Sequence, residues 1–386
     1  MLVYPKTELF NLHVNDQADE ALNVGYITAD QRTSIKTAYP VKLYQPGPVA
    51  QAGLGLLTII ILLLSAGLLV LVFQLYNSIS GFLVFYGLLC YVMLEIMARK
   101  NHFNSGVDNI LMFTTAWLII GGIGASMNMG ENGLFEIFIS LVAFVICAFL
   151  CLRFSDASIG IVAILALLSF VFFCYLQLGS PALQTFPFVM AAVSGLIYFI
   201  SIRGLRYQAA LYYRNTLKWI GILALFTLYA SGNFHVVVLI CQHIGQRTRS
   251  VYAFPLPGFL WTWTLLVPLI YVVLGIARKD RTLLRVGLVL AGVAVLTFLQ
   301  YFPIVTAEVA MLIAGLFTVV SSYGIMRYLR VPRNGFTFDE ADDESAEGAN
   351  LEAVVVGEAF GNTQTVQNDT TFGGGSFGGA GAGERF

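Results

Sequence analysis

Ten stretches of this chain, at about 49–75, 80–98, 108–127, 133–153, 158–178, 185–203, 215–232, 257–277, 283–302 and 305–328, run on with almost no charge. No other feature leaves the fold so little freedom. Crossing a hydrocarbon core about 30 Å thick takes roughly 20 helical residues, and each run is about that long or longer. In lipid the backbone must satisfy its own hydrogen bonds, so only helices and closed barrels span a membrane. Barrel strands would alternate with period two, whereas these runs are apolar throughout, and that selects helices. Composition agrees, because 11% charged residues is less than half the share in an ordinary soluble domain, roughly a quarter. The expected fold is all-α and integral to a membrane: a bundle of about ten transmembrane helices over residues 49–330.

Charge then orients the bundle. Basic residues concentrate in the cytoplasmic connections of membrane proteins. With the N-terminus inside, ten spans put Lys6, Arg32, Lys36, Lys42, Arg99, Lys100, Arg153, Arg203, Arg206, Arg214, Lys218, Arg278, Lys279, Arg281, Arg285, Arg327, Arg330, Arg333 and Arg385 on the cytoplasmic side, 19 of the 21 cations. Only Arg247 and Arg249 fall outside. Both termini are therefore expected in the cytoplasm and the protein in a bacterial inner (plasma) membrane, with anionic lipids against its inner face. The stretch "RGLRYQAALYYRNTLK" mixes Arg with Tyr there and reads as an interfacial segment. Trp219 belongs near the inner interface, Trp261 and Trp263 near the outer one. No leader-like segment opens the sequence, so the first span is expected to direct insertion. Residues 49–178 and 185–328 show no repeat that aligns by eye.

Residues 1–48 are polar and well punctuated. Asn15 is read as the cap of a short helix through "DQADEALN", Gly25 as its left-handed C-terminal residue, and Thr28 with Gln31 as the capping box of a second helix that Pro40 limits. Asp16, Asp19 and Glu20 on the first face Arg32 and Lys36 on the second across a weak, exposed pairing. This helical hairpin is expected as a cap on the cytoplasmic face, or as a docking module for a cytoplasmic protein over residues 15–40. Two short helices without a third, and without a basic recognition face, are not a nucleic-acid reader. The segment "ADEALNVGYITADQRTSI" resembles the opening of prokaryotic multi-pass predicted membrane proteins of unknown function, in which a Gly-x-Ile-Thr hairpin precedes a run of spans. It is also similar to the Gly-Ile-Thr helical module of many bacterial membrane-associated proteins. That resemblance implies a layout and carries no catalytic residues.

Residues 331–386 hold ten of the 22 carboxylates and end in "FGGGSFGGAGAGERF". Such a segment buries too little apolar surface to order itself, and a disordered cytoplasmic tail is expected. Its Gly-rich end resembles those of TPM-family membrane proteins. Within it, 351–386 offers Phe372, Phe377 and Phe386, and the strand-forming "LEAVVVGEAF", to a partner.

Candidate chemistry is sparse. The five cysteines show no metal or disulfide spacing, and Cys147 with Cys151 at i, i+4 reads as core. No ionisable residue lies at a helix midpoint, which disfavours ion-coupled transport. Glu95 sits about a turn from an inner end, Glu136 and Glu308 about a turn from outer ends. Pro268 is expected to kink its span. The small-residue runs at 121–126 and 287–292 read as close helix packing. The connection "SGNFHVVVLICQHIGQRTRSVYAFPLP" is the longest outer loop, and 233–256 is expected to lie along the interface or re-enter. There Arg247 and Arg249 are candidates to clamp a phosphate, with His235, His243, Glu136 or Glu308 as general base. The arrangement loosely resembles polytopic enzymes of lipid-linked sugars, whose corresponding loops are much longer. A two-His metal site lacks diagnostic spacing, and neither a metal nor a cofactor is expected. Three function classes stay open: a non-enzymatic membrane component or scaffold, a carrier for a small or amphipathic solute, and an outer-face enzyme on lipid-linked or phosphorylated substrates.

Overall fold

A computed structural model of the chain describes residues 2–23, 25–73, 79–127, 133–248, 256–278 and 280–302, with the isolated positions 315, 316, 323 and 327. The tenth apolar run and the C-terminal tail lie outside the described residues. The described elements are helical: α1 (Lys6–Asn23), α2 (Ala29–Ala38), α3 (Pro48–Phe73), α4 (Ile79–Arg99), α5 (Val107–Ser126), α6 (Leu134–Phe154), α7 (Ala157–Leu176), α8 (Ser180–Gly204), a 3-10 turn (Gln208–Tyr213), α9 (Arg214–Gly232), α10 (Phe234–Thr248), α11 (Pro257–Arg278) and α12 (Arg281–Tyr301). Among them α3 to α8, α11 and α12 are each long and apolar enough to cross a membrane, eight in all, and α9 with α10 makes a ninth if that bent pair is one span.

Four antiparallel hairpins organise the bundle: α4 on α5, α6 on α7, α8 on α9 and α11 on α12. Helices joined by short turns pack on each other because the connection leaves them nowhere else to go. The turns of the first three are tied to each other or to the N-terminal segment. The Tyr4 hydroxyl donates to His102 O, the Val3 amide to Arg153 O, and the Tyr213 hydroxyl to Leu152 O. That shared end is the cap face. Small residues allow close contact within the pairs, with Gly122 against Val84 and the Ser80 carbonyl, and Gly287 against Tyr271 and Val272. The turns of the first and last hairpins follow similar sequences, "YVMLEIMARK" before the α4–α5 turn and "YVVLGIARK", one residue shorter, before the α11–α12 turn.

The N-terminal residues are built into this end. Tyr4, Leu9 and Leu43 join Leu94, Cys151 and Phe154 in one buried cluster. The Tyr44 amide donates to Asn101 O and the Phe103 amide to Tyr44 O. The hairpin is as expected at its turn: Gly25 has φ +82°, Thr28 Oγ1 accepts from the Gln31 amide at 3.3 Å, and Gln31 Oε1 accepts from the Thr28 amide at 2.9 Å. Asp19 pairs with Arg32 and Lys36, and these hydrogen bonds, Arg32 first, hold its carboxyl below the usual carboxylate range. One expectation is corrected. The first helix starts at Lys6, and Asn15 does not begin it: the Asn15 side-chain amide is spent on Tyr39 O at 3.1 Å, tying α1 to the end of α2. Since the capping box is worth about 1 kcal/mol, Thr28→Ala is expected to speed amide exchange across Arg32–Ile35 roughly fivefold, leaving α6 unchanged. Unchanged exchange in α2 would show the box to be incidental.

Candidate functional site

The segment after α9 is not an extended loop. Asn233 is fully buried; its Oδ1 accepts from the Val236 amide at 3.2 Å, and its Nδ2 reaches the Tyr229 hydroxyl at 2.8 Å and Thr297 Oγ1 at 3.4 Å. An Asn cap that starts a new helix also stops the old one. Here α10 leaves α9 at a 68° bend. Its Val237 and Cys241 pack with Phe186 and Leu260, whereas Leu239 and His243 are exposed. The result is an amphipathic helix laid across the end of the bundle opposite the cap.

His235 is half-buried there, its Nδ1 3.1 Å from the Tyr301 hydroxyl, within an aromatic cluster of Phe234, Trp261, Phe298 and Tyr301. His243 lies eight residues further along the same helix, about 12 Å by helical rise. Glu136 is in the first turn of α6, which packs on α5 and α7, while α10 packs on α9 and α11. The Arg247 side chain, Arg249, Glu131 and Glu308 lie outside the described residues. No group of three metal-ligating side chains assembles among the described residues. Pro268 is fully buried in α11 beside Val267 and Tyr271 of a packed cluster.

The cap face carries what the sequence did not single out. A cavity of about 260 Å³ opens among Tyr4, Asp108, Phe154, Asp156, Asn215 and Trp219. Asp108, 6% exposed, accepts from the amides of Asn104 (2.7 Å) and Ser105 (2.8 Å) and from the Ser105 hydroxyl (2.9 Å). It thereby folds the turn ahead of α5. Asp156 caps α7 by accepting from the Ser158 and Ile159 amides at 2.8 and 3.0 Å. Burial first, and the Asp108 charge as well, push its carboxyl above the usual range, against the pull of those amides. Three helices, α5, α7 and α9, begin at this cavity, so their positive ends face the two carboxylates. The cavity can hold a small polar molecule; none of its lining side chains is an activated nucleophile.

Beneath it lies a mostly buried ion pair. Arg153 donates to both carboxylate oxygens of Glu95, through Nε at 3.1 Å and through Nη2, and Arg99 approaches the same carboxylate at 3.5 Å. The partners Glu95 and Arg153 are 15% and 25% exposed. They lock α4 to α6 one turn below the cap. The only advance signal was a lone Glu in an apolar run, which gave no partner. No protein family model, curated protein or solved structure matches the chain.

Proposed function

We propose that this chain is a ten-span plasma-membrane protein of a bacterium, with both termini cytoplasmic, and that it works as a non-enzymatic membrane component presenting a docking hairpin. One observation carries the reading. The hairpin is half core and half surface: Tyr4, Leu9 and Leu43 share the bundle's buried cluster, whereas α2 has no buried residue. A helix fastened to α1 along one side and exposed on the rest, held at a fixed angle by a helix that is packed, is a platform aimed away from the membrane. Nineteen of 21 cations fall on that side by the ten-span count, which supports the cytoplasm as where it points. The tail, residues 331–386, would extend from the same side and add a second contact through 351–386.

The test is photocrosslinking in host membranes from single positions on α2, Thr33 and Thr37, with Leu63 on the lipid-exposed side of α3 as reference. A discrete crosslinked protein at the α2 positions and absent at Leu63 is expected. Identical products at all three positions, or none on α2, would overturn the docking role. A carrier for a small solute is the second reading, favoured by the cap-face cavity of about 260 Å³; it requires that the cavity gain an opening to the opposite end.

A further inference from the structure

Three arginines of the cap face each have a carboxylate partner. Arg99 and Arg153 share Glu95, and Arg32 shares Asp19 with Lys36. The α8–α9 turn is different. It carries Arg203, Arg206, Arg214 and Lys218, all exposed, in a stretch from 157 to 279 that has no Asp or Glu at all. The neighbouring carboxylates, Asp156 and Asp280, each cap the next helix. Arg203 is held over the Phe199 ring at 4.7 Å. Below it on the same face of α8, at one- and two-turn spacing, Leu196, Phe199 and Ile200 are 57%, 53% and 56% exposed. Tyr207 flanks the cations at 65% exposure, and Trp219, 47% exposed, follows Lys218 on α9 and lines the cap-face cavity. An apolar strip running up a membrane-length helix into unneutralised cations, with aromatic rings at the junction, has the polarity of one lipid molecule.

We propose that the α8–α9 turn seats an anionic phospholipid of the leaflet at the cap face. Arg206, Arg214 and Lys218 hold the phosphate-bearing headgroup, Tyr207 marks its depth, and an acyl chain lies along Leu196, Phe199 and Ile200. The seat goes beyond the docking role and stands whether or not α2 has a partner. The occupant is fixed by charge: a zwitterionic lipid brings its own cation and gains little from cations that share no ion pair with a carboxylate among the described residues.

Trp219, next to Lys218 in the chain and 47% exposed, is the reporter. The full chain is reconstituted in phosphatidylcholine vesicles in which a tenth of the lipid carries brominated chains, either phosphatidylglycerol or phosphatidylcholine. The Trp219 signal is the difference from Trp219→Phe. Quenching by brominated phosphatidylglycerol is expected to exceed that by brominated phosphatidylcholine about twofold or more at low salt. The excess should vanish in the triple variant Arg206→Gln, Arg214→Gln, Lys218→Gln and survive when the two arginines become lysine. It should also survive loss of three charges elsewhere on this face, at Lys6, Lys100 and Arg278. Equal quenching by the two lipids, or loss of the excess in the distant triple variant, would overturn the seat. Relief of the excess by soluble glycerol 1-phosphate would overturn it too, in favour of a site for free phosphate esters.

Discussion

Gly106→Ala is expected to unseat α3 from the bundle. Gly106 opens α5 with φ +88°, and a Cβ there would lie 2.2 Å from the Gln51 carbonyl oxygen and 3.2 Å from the Gly55 amide nitrogen. Both obstacles are backbone of α3, so no rotamer relieves them, and the φ itself is costly for any residue with a side chain. Alanine must push the two helices apart or twist the turn that Asp108 organises. A loss of about 3 kcal/mol or more follows, to be read as the thermal midpoint of the purified protein in detergent. Gly55→Ala is the control. Its Cβ would meet only ordinary contacts, Ile110 Cγ1 at 3.6 Å and Gly106 O at 3.7 Å, so it should be nearly silent. If Gly106→Ala unfolds at the wild-type midpoint, α3 is not seated on α5 as described.

Glu95→Gln is the second large effect. Removing one member of a mostly buried pair leaves the other charged and desolvated, which typically costs about 3–5 kcal/mol, more than the pair itself contributes. Arg153 is the member left behind, one quarter exposed, and that exposure puts the expected loss toward the lower end. The double variant Glu95→Gln, Arg153→Met removes the stranded charge and should recover most of the loss. Strong coupling in the double-mutant cycle would confirm the pair as a unit. Additive losses would mean that each side chain acts alone.

Both residues show what a sequence can and cannot reveal. The apolar runs were legible because each helix announces itself over twenty neighbouring residues, and the Thr28–Gln31 box because its partners are three residues apart. Asn15 and Asn233 were harder. The Asn15 amide bridges to Tyr39 whereas Asn233 caps α10, and the partners that tell them apart, Tyr39 and Thr297, lie 24 and 64 positions away. The α10 segment was half legible: an interfacial or re-entrant course is expected for 233–256, but only the packing of Val237 and Cys241 on Phe186 and Leu260 fixes which face of its helix is covered. Glu95 and Arg153 stand 58 positions apart, and only the packing of α4 and α6 near one another reveals the match. Asp108 and Asp156 were passed over for the opposite reason: each sits at the ordinary start of a helix, where a carboxylate is commonplace. What makes them unusual is that α5 and α7 begin at the same cavity.

The way the cap is fastened also dictates an order of assembly. Each of the four hairpins closes on partners made moments apart, so it can form as its second helix enters the membrane. The N-terminal segment has no such neighbour. Val3 waits for Arg153, and Tyr4 waits for His102 and Phe154. Until the sixth helix is in place, the side of α1 that carries Leu9 lacks its cover from the bundle. Ribosomes stalled before Arg153 should therefore display α1 open to protease, and those stalled after Tyr212 should display it shut, which would make the cap a built-in signal that the first half of the bundle is complete.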